Sequence, residues 1–235
     1  MRTIGILGGM SWESTALYYR MINEGVRERL GGLHSASILL DSCDFAAMEM
    51  LQAAGDWPLI GRILTEKALK LQDAGAEGLL IATNSMHDLA DVVEGAIAVP
   101  FLHIADAVGE ALMEDGFQTV GLLGTRFTME RPFYTGRLRE RFGIEARIPE
   151  REDREMVHRV IYQELCRGIV DDRSRGAYLK VMDGLVKGGT QAIVLGCTEI
   201  GLLVGEADTQ IPLYDTARLH AEATVRWMLG KGRDL

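Results

Sequence analysis

A segment near the start of the chain recurs near its middle, and this repeat constrains the fold more than any other sequence feature. Residues 3–8 read TIGILG, and residues 119–124 read TVGLLG. Each is a short run rich in Ile and Leu that stops at glycine and leads into a helical pattern. Such a run is typical of a buried parallel strand followed by a turn and a helix. The repeat therefore predicts two similar α/β units in one chain.

Two further pairs of segments repeat in the same order. Residues 79–84 (LLIATN) correspond to residues 193–198 (IVLGCT), and residues 99–103 (VPFLH) correspond to residues 211–215 (IPLYD). Three matched pairs in one order indicate an internal duplication. We therefore predict an α/β fold of two pseudo-symmetric domains, each a mostly parallel four-stranded sheet flanked by helices.

The duplication also predicts where a ligand binds. In open parallel sheets, ligands bind beyond the carboxyl ends of the strands. Four loops lie at such ends, and they begin at Gly8, Thr83, Gly124 and Cys197. Two pseudo-symmetric halves would turn these loops toward each other across a cleft. Because Thr83 and Cys197 take equivalent places in the two halves, we expect them to approach a shared ligand from opposite sides.

Two acid–base groups on opposite sides of a ligand are what a racemase needs, because it removes a proton from one face of a chiral carbon and returns one to the other. An unperturbed thiol has a pKa of about 8.5, and we expect N–H dipoles at the start of a following helix to lower the pKa of Cys197. The Thr83 hydroxyl is a poor base but can donate a proton within a relay. The alternative interpretation is an inert buried cysteine and a hydrogen-bonding threonine at two strand ends.

Short polar side chains follow both candidate groups along the chain. They are Asn84, Ser85, Thr198 and Glu199. Beside free backbone N–H groups, such side chains suit carboxylate and ammonium recognition, and they suit helix capping equally well. His87 lies one helical turn past Thr83, and we expect it to cap a helix or support the site without reacting itself.

Composition excludes several classes of function. The chain has 235 residues and a formal net charge of −9, which argues against nucleic-acid and anionic-membrane partners. The segment Gly8-Gly9-Met10-Ser11 resembles an anion-binding turn, but it lacks the Gly-x-Gly-x-x-Gly spacing of a dinucleotide site. No run has the length of a bilayer span and the first residues do not resemble a signal peptide, so we expect a cytoplasmic protein.

The three cysteines predict neither a disulfide framework nor a structural zinc site. Their number is odd, they form no Cys-x-x-Cys pair, and no histidine lies nearby at metal-binding spacing. Cys43 just past a strand over residues 36–41, and Cys166 in a helix over residues 154–167, have no matched partner in the repeat. We predict that both are packing residues.

Three motifs together resemble those of the aspartate/glutamate racemase family, and the similarity runs along essentially the whole chain. They are GGMS at 8–11, TNSMH at 83–87 and GCTE at 196–199. The resemblance implies two pseudo-symmetric α/β domains, with the C-terminal helix returning to the first. It also implies a homodimer that needs no pyridoxal phosphate, metal or other cofactor. On this basis we assign residues 1–98 and 212–235 to the first domain and residues 99–211 to the second, with the active site in the cleft between them.

The chain departs from the usual family pattern at two positions. Thr83 stands where the first of two catalytic cysteines is expected, and Ser85 replaces the usual threonine. In this respect the chain resembles the L-specific aspartate/glutamate racemases of enteric bacteria. The resemblance implies that Cys197 abstracts the α-proton of L-aspartate or L-glutamate and that Thr83 serves the opposite face. It also implies a set of substrate-binding residues, namely Met10, Gln52, Asn84, Ser85, Thr198 and Glu199.

Two other functions fit parts of this pattern. A decarboxylase or isomerase of a small dicarboxylate, built on the same superfold, needs only Cys197 to protonate an enediolate from one face. A non-catalytic amino-acid-binding protein would keep the cleft and lose the chemistry. Asn84, the GCTE motif and the full-length resemblance favour the racemase.

Overall fold

The computed structural model describes residues 1–230, and within them the strands form two four-stranded sheets with parallel pairing throughout. The strands are β1 (Ile4–Gly8), β2 (Ile38–Ser42), β3 (Gly78–Ile81), β4 (Phe101–Leu102), β5 (Thr119–Gly124), β6 (Glu145–Arg147), β7 (Ala192–Gly196) and β8 (Leu213–Asp215). The helices are α1 (Trp12–Leu30), α2 (Phe45–Ala54), α3 (Trp57–Asp73), α4 (Ala90–Glu94), α5 (Ile104–Glu114), α6 (Arg126–Glu130), α7 (Pro132–Phe142), α8 (Arg151–Gln163), α9 (Asp172–Lys187), α10 (Ile200–Leu203) and α11 (Thr216–Met228). None of the helices within these residues is both long and apolar enough to cross a membrane.

The two sheets have the same strand order, β2-β1-β3-β4 and β6-β5-β7-β8. The residues of β1, β3 and β7 are all buried, as are nearly all those of β5. A central parallel strand is covered by helices on both faces, which explains why these segments are continuous apolar runs. The α/β fold with two duplicated parallel sheets, predicted from the sequence repeat, is confirmed.

The chain divides into two compact units, each with its own sheet. Among the described residues, the first comprises residues 1–104 and 220–230, and the second comprises residues 105–219. These divisions fall later along the chain than the expected ones at 98 and 211, because β4 pairs with β3 and β8 pairs with β7. Residues 231–235, which the sequence analysis assigns to the first domain, lie outside the described residues.

Each unit has a core of its own. In the first, Ile60, Leu64 and Ala68 lie one turn apart on α3 and join a buried cluster with strand residues of β1 and β3. The last helix, α11, also packs on this sheet: a Cβ at Gly78 would lie 2.5 Å from the Trp227 ring, so glycine is required there. In the second unit, buried residues of α8 and α9 form a cluster with β5 and β7.

One helix ends earlier than the sequence predicts. The prediction of a helix over residues 154–167 is wrong at its C-terminal end, because α8 ends at Gln163 and a separate 3₁₀ helix spans Leu165–Arg167. Gly168 ends this turn in the left-handed region at φ 71°, a conformation that glycine adopts readily.

Cys43, Cys166 and Cys197 are not joined in disulfides. Cys166 lies in the 3₁₀ turn and packs, partly buried, against the core of the second unit, while Cys43 packs in the same way against the first. In the described part of the chain, no group of three or more His, Cys, Asp or Glu side chains is arranged to hold a metal ion.

Candidate active site

The two candidate proton-transfer groups occupy equivalent places in the two units. Ile81 pairs with β1 in the same register that Leu195 keeps against β5, and Thr83 and Cys197 each follow two positions later. Both side chains therefore belong to the loop at the carboxyl end of a central strand, where α/β folds bind ligands. Both residues are half-buried.

In the second unit, the Cys197 thiol donates a hydrogen bond to Glu199. Its Sγ lies 2.8 Å from Glu199 Oε2, and the same oxygen accepts a hydrogen bond from Thr198 Oγ1 at 2.7 Å. The structure thus brings three of the predicted site residues into direct contact. Glu199 Oε2 accepts hydrogen bonds from both Cys197 and Thr198, so the thiol proton points toward Glu199.

The protonation of Cys197 differs from the expectation. Burial raises the pKa of the Cys197 thiol well above its ordinary range, and the charge of Glu199 and its hydrogen bond raise it further. The backbone N–H of Glu199 acts in the opposite direction but is the smallest influence. The expected lowering of the Cys197 pKa by a helix start is therefore wrong, because burial and the Glu199 carboxylate raise this pKa and α10 is only a single short turn. Cys197 is a thiol with a proton acceptor beside it.

In the first unit, the Thr83 loop is fixed by a buried histidine. His87 Nδ1 lies 2.8 Å from the Thr83 carbonyl oxygen, and His87 Nε2 accepts the Ile104 N–H at 3.2 Å. Asn84 is buried, and Ser85 begins the 3₁₀ helix Ser85–Leu89. The site residues predicted after β3 therefore lie on a short, well-anchored turn.

Met10 and Gln52, assigned to substrate binding by resemblance alone, also lie in the first unit. Each is 5% exposed. Met10 belongs to one buried cluster with Met48 of α2 and Met86 of the Thr83 loop. Gln52 Nε2 is buried with no hydrogen-bond partner in the described structure. Buried polar groups are normally hydrogen-bonded, so this amide can donate to an acceptor such as a carboxylate.

The glycine turn after β1 is built for close packing. Gly9 has φ 84°, and a Cβ there would lie 2.2 Å from the Cys43 carbonyl oxygen. Its N–H donates to Thr15 Oγ1 at 2.8 Å, while Ser11 caps α1 by accepting the Ser14 N–H at 3.3 Å. The resemblance to an anion-binding turn therefore does not extend to the Gly9 N–H, which already binds a hydroxyl.

The loop after β5 contains polar side chains that the sequence analysis did not name. Thr125 caps α6 by accepting the Thr128 N–H at 3.4 Å, and His158 Nδ1 of α8 accepts the Arg126 N–H at 3.2 Å. The Thr-x-x-Thr spacing is a capping signal that could have identified the threonines. His158 carried no local signal, because its partner lies on another helix.

His158 predicts a pH dependence of stability. Burial lowers the pKa of His158 and the Arg126 charge lowers it further, while Glu130 acts in the opposite direction. As pH falls, the unfolded chain takes up this proton before the folded protein does, so stability is lost below the ordinary histidine pKa of about 6.5. His158→Asn keeps an acceptor near Nδ1 but does not titrate. We expect it to flatten the fall in the free energy of unfolding between about pH 7 and pH 5, measured by urea denaturation.

The exposed His34 offers a matched control for this experiment. His34→Asn removes a histidine that makes no comparable buried contact. The slope of the free energy of unfolding against pH should therefore equal that of the wild type. Equal slopes for the wild type and His158→Asn would contradict the assigned role of His158.

Known proteins resemble the chain over nearly its whole length. A sequence profile described as Asp/Glu/Hydantoin racemase matches residues 7–224. A crystal structure of a Yersinia pestis protein, described as a candidate Asp/Glu racemase, is 50% identical, covers 97% of this chain and 100% of its own, and has a TM-score of 0.93. The structure of an aspartate racemase homologue from Pyrococcus horikoshii is 31% identical with the same coverage and a TM-score of 0.85. The broad specificity amino-acid racemase RacX of Bacillus subtilis is 19% identical over 94% of this chain and 96% of its own. The chain belongs to the Asp/Glu/hydantoin racemase family and is an amino-acid racemase.

Proposed function

We propose that this racemase acts on L-aspartate or L-glutamate without a cofactor, with Cys197 taking the α-proton from the L-face and Thr83 serving the opposite face. The observation that carries the proposal is the hydrogen bond from Cys197 Sγ to Glu199 Oε2 at 2.8 Å. A thiol with a raised pKa keeps its proton and cannot act as a base until it loses it, and the adjacent carboxylate is positioned to accept that proton.

The reaction then divides into balanced proton transfers. The thiol proton moves from Cys197 to Glu199, and the resulting thiolate removes the α-proton of the L-substrate, which leaves the electron pair delocalised into the substrate carboxylate. The Thr83 hydroxyl delivers a proton to the other face and regains one from solvent. Glu199 then releases the thiol proton to solvent, so that both groups return to their starting states. The substrate ammonium group favours the thiolate by its charge. The reverse sequence converts the D-enantiomer.

Local donors favour an acidic substrate despite the overall charge of the protein. A formal net charge of −9 repels a dicarboxylic amino acid, so attraction has to come from groups within the site. The buried Gln52 Nε2, which has no hydrogen-bond partner in the described structure, supports this. We assign Met10, Asn84, Ser85 and Thr198 to contacts with the substrate alongside it. The Yersinia pestis relative, at 50% identity, is itself described as a candidate Asp/Glu racemase.

Proton NMR in D₂O tests the substrate and the two faces together. We expect loss of the α-proton signal with L-aspartate or L-glutamate to be much faster than with the D-enantiomers, because the L-substrate meets a thiolate and the D-substrate meets a hydroxyl. Thr83→Cys should narrow the difference, because it places a thiol on each face. Thr83→Val should stop racemisation while deuterium still enters the L-substrate.

Three outcomes would count against the proposal. Equal exchange rates for the two enantiomers in the wild type would contradict the assignment of the faces. Binding of aspartate and glutamate without any exchange would contradict the substrate class. Release of CO₂ from a malonate, with no amino-acid exchange, would favour the decarboxylase alternative.

A further inference from the structure

His87 makes two hydrogen bonds that join separate parts of the first unit. Nδ1 lies 2.8 Å from the carbonyl oxygen of Thr83, and Nε2 lies 3.2 Å from the backbone nitrogen of Ile104, the first residue of α5. The first four N–H groups of a helix have no partner within the helix, so His87 caps α5 from a distant loop. The same ring therefore holds the helix start and the Thr83 peptide.

These partners fix the tautomer of His87. A backbone N–H can only donate, so Nε2 must carry a lone pair, and a carbonyl oxygen can only accept, so Nδ1 must carry the proton. A doubly protonated imidazole would direct an N–H at the Ile104 N–H and lose that bond. His87 is therefore neutral and protonated at Nδ1 in this arrangement.

Packing leaves the ring little freedom. His87 is 1% exposed, and its ring centroid lies 4.6 Å from that of His103 and 5.7 Å from that of Phe101. A buried ring held at both nitrogens and on its flanks is a rigid support. Movement of Thr83 away from this position would break its partly buried hydrogen bond to His87.

The second unit has no histidine at the equivalent place to join its loop to a helix start. Gly201 occupies the position that corresponds to His87, four residues past Cys197. There, Asp215 caps α11 by accepting the N–H groups of Ala217 and Arg218 at 2.9 and 3.0 Å. A Cβ on Gly201 would lie 3.3 Å from Asp215 Oδ2, so the small residue leaves room for that cap. The duplicated units therefore support their two reactive groups differently.

We propose that His87 is a positioning residue for the Thr83 face of the reaction, an inference that rests on the proposed function. By fixing the Thr83 carbonyl, the Nδ1–H group sets where the Thr83 hydroxyl stands relative to the substrate. Thr83 needs this support because a hydroxyl is a weak acid–base group and works only when its geometry is favourable. Cys197 is instead assisted through its contact with Glu199.

Two substitutions separate the two hydrogen bonds. His87→Asn places an amide N–H near Nδ1 and keeps a donor for the Thr83 carbonyl, whereas His87→Gln reaches the Nε2 position and keeps an acceptor for the Ile104 N–H. For each variant, two rates are compared. One is the conversion of the L-substrate to its D-enantiomer, and the other is the entry of deuterium into substrate molecules that remain in the L-configuration. Exchange on the L-face needs Cys197 and its proton acceptor Glu199 but not Thr83, whereas racemisation also needs Thr83.

In His87→Gln we expect racemisation to fall about tenfold or more while exchange on the L-face stays within about twofold. His87→Asn should retain most of the wild-type ratio of the two rates. His220 supplies the control, because it is equally buried and its ring nitrogens bond the Tyr18 hydroxyl and the Leu102 carbonyl oxygen, each at 2.9 Å. His220→Asn should lower both rates together, or neither.

The possible outcomes distinguish this inference from the proposed function. If the wild type neither exchanges nor racemises any acidic amino acid, the proposed function fails and the role of His87 fails with it. If the wild type is active and both rates fall equally in His87→Gln, only the role of His87 is overturned.

Long-range ¹H–¹⁵N NMR of the wild-type imidazole gives a test that needs no variant to fold. We expect the spectrum of a His87 ring that carries its proton at Nδ1. A ring protonated at Nε2, or at both nitrogens, would overturn the inference.

Discussion

Replacing Cys197 with alanine is expected to reduce racemisation by about 10³-fold or more, because the variant loses the group that takes the α-proton from the L-face. The loss should extend to deuterium exchange into the L-substrate, unlike the loss expected for Thr83→Val. The fold should persist, since Cys197 is half-buried at a strand end and the substitution removes only its sulfur. Chiral chromatography of the products and circular dichroism of the variant measure the two parts of this expectation.

The other two cysteines provide matched controls. Cys43 and Cys166 are also half-buried and outside any disulfide, and each packs against the core of its unit. Cys43→Ala and Cys166→Ala should change turnover only slightly. Retention of most of the activity by Cys197→Ala would show that another group takes the α-proton, and the assigned mechanism would then be wrong.

The architecture could be predicted because its signal is local and repeated. Buried parallel strands have to be continuous apolar runs, so TIGILG and TVGLLG identify two central strands directly. The equivalence of Thr83 and Cys197 followed from the same repeat, and the strand register bears it out. The C-terminal end of α8 was harder to predict, because residues 164–167 have no strong helix-stopping residue before Gly168.

The electrostatics of the site could not be predicted in this way. The direction of the Cys197 pKa depends on burial and on the rotamer that brings Glu199 Oε2 to 2.8 Å from the thiol, and neither follows from residue types. His87 and His158 meet partners that are distant in sequence, and their roles depend on how helices pack on the sheets. Gln52 was assigned by resemblance alone, and only its burial shows an amide in need of an acceptor.

Replacing Glu199 with glutamine is expected to change two properties of Cys197 in opposite directions. Racemisation near pH 7 should fall about 10²-fold, because the thiol loses the group that accepts its proton. Alkylation of Cys197 by iodoacetamide should become faster, because the loss of the carboxylate charge and hydrogen bond lowers the pKa of the thiol toward its ordinary range. Burial still holds that pKa up, so the variant's activity should rise with pH as the thiolate forms.

Racemisation should fall while alkylation of Cys197 rises, and general damage to the site would not produce both effects at once. Alkylation is measured by mass spectrometry in a Cys43→Ala/Cys166→Ala background, so that Cys197 alone reacts. Glu206→Gln makes the same charge change at an exposed position in the same unit and should alter neither property. Suppose instead that Glu199→Gln keeps wild-type activity at pH 7, or that its thiol reacts no faster than before. In that case Glu199 does not receive the thiol proton, and Cys197 must lose it to the substrate or to solvent.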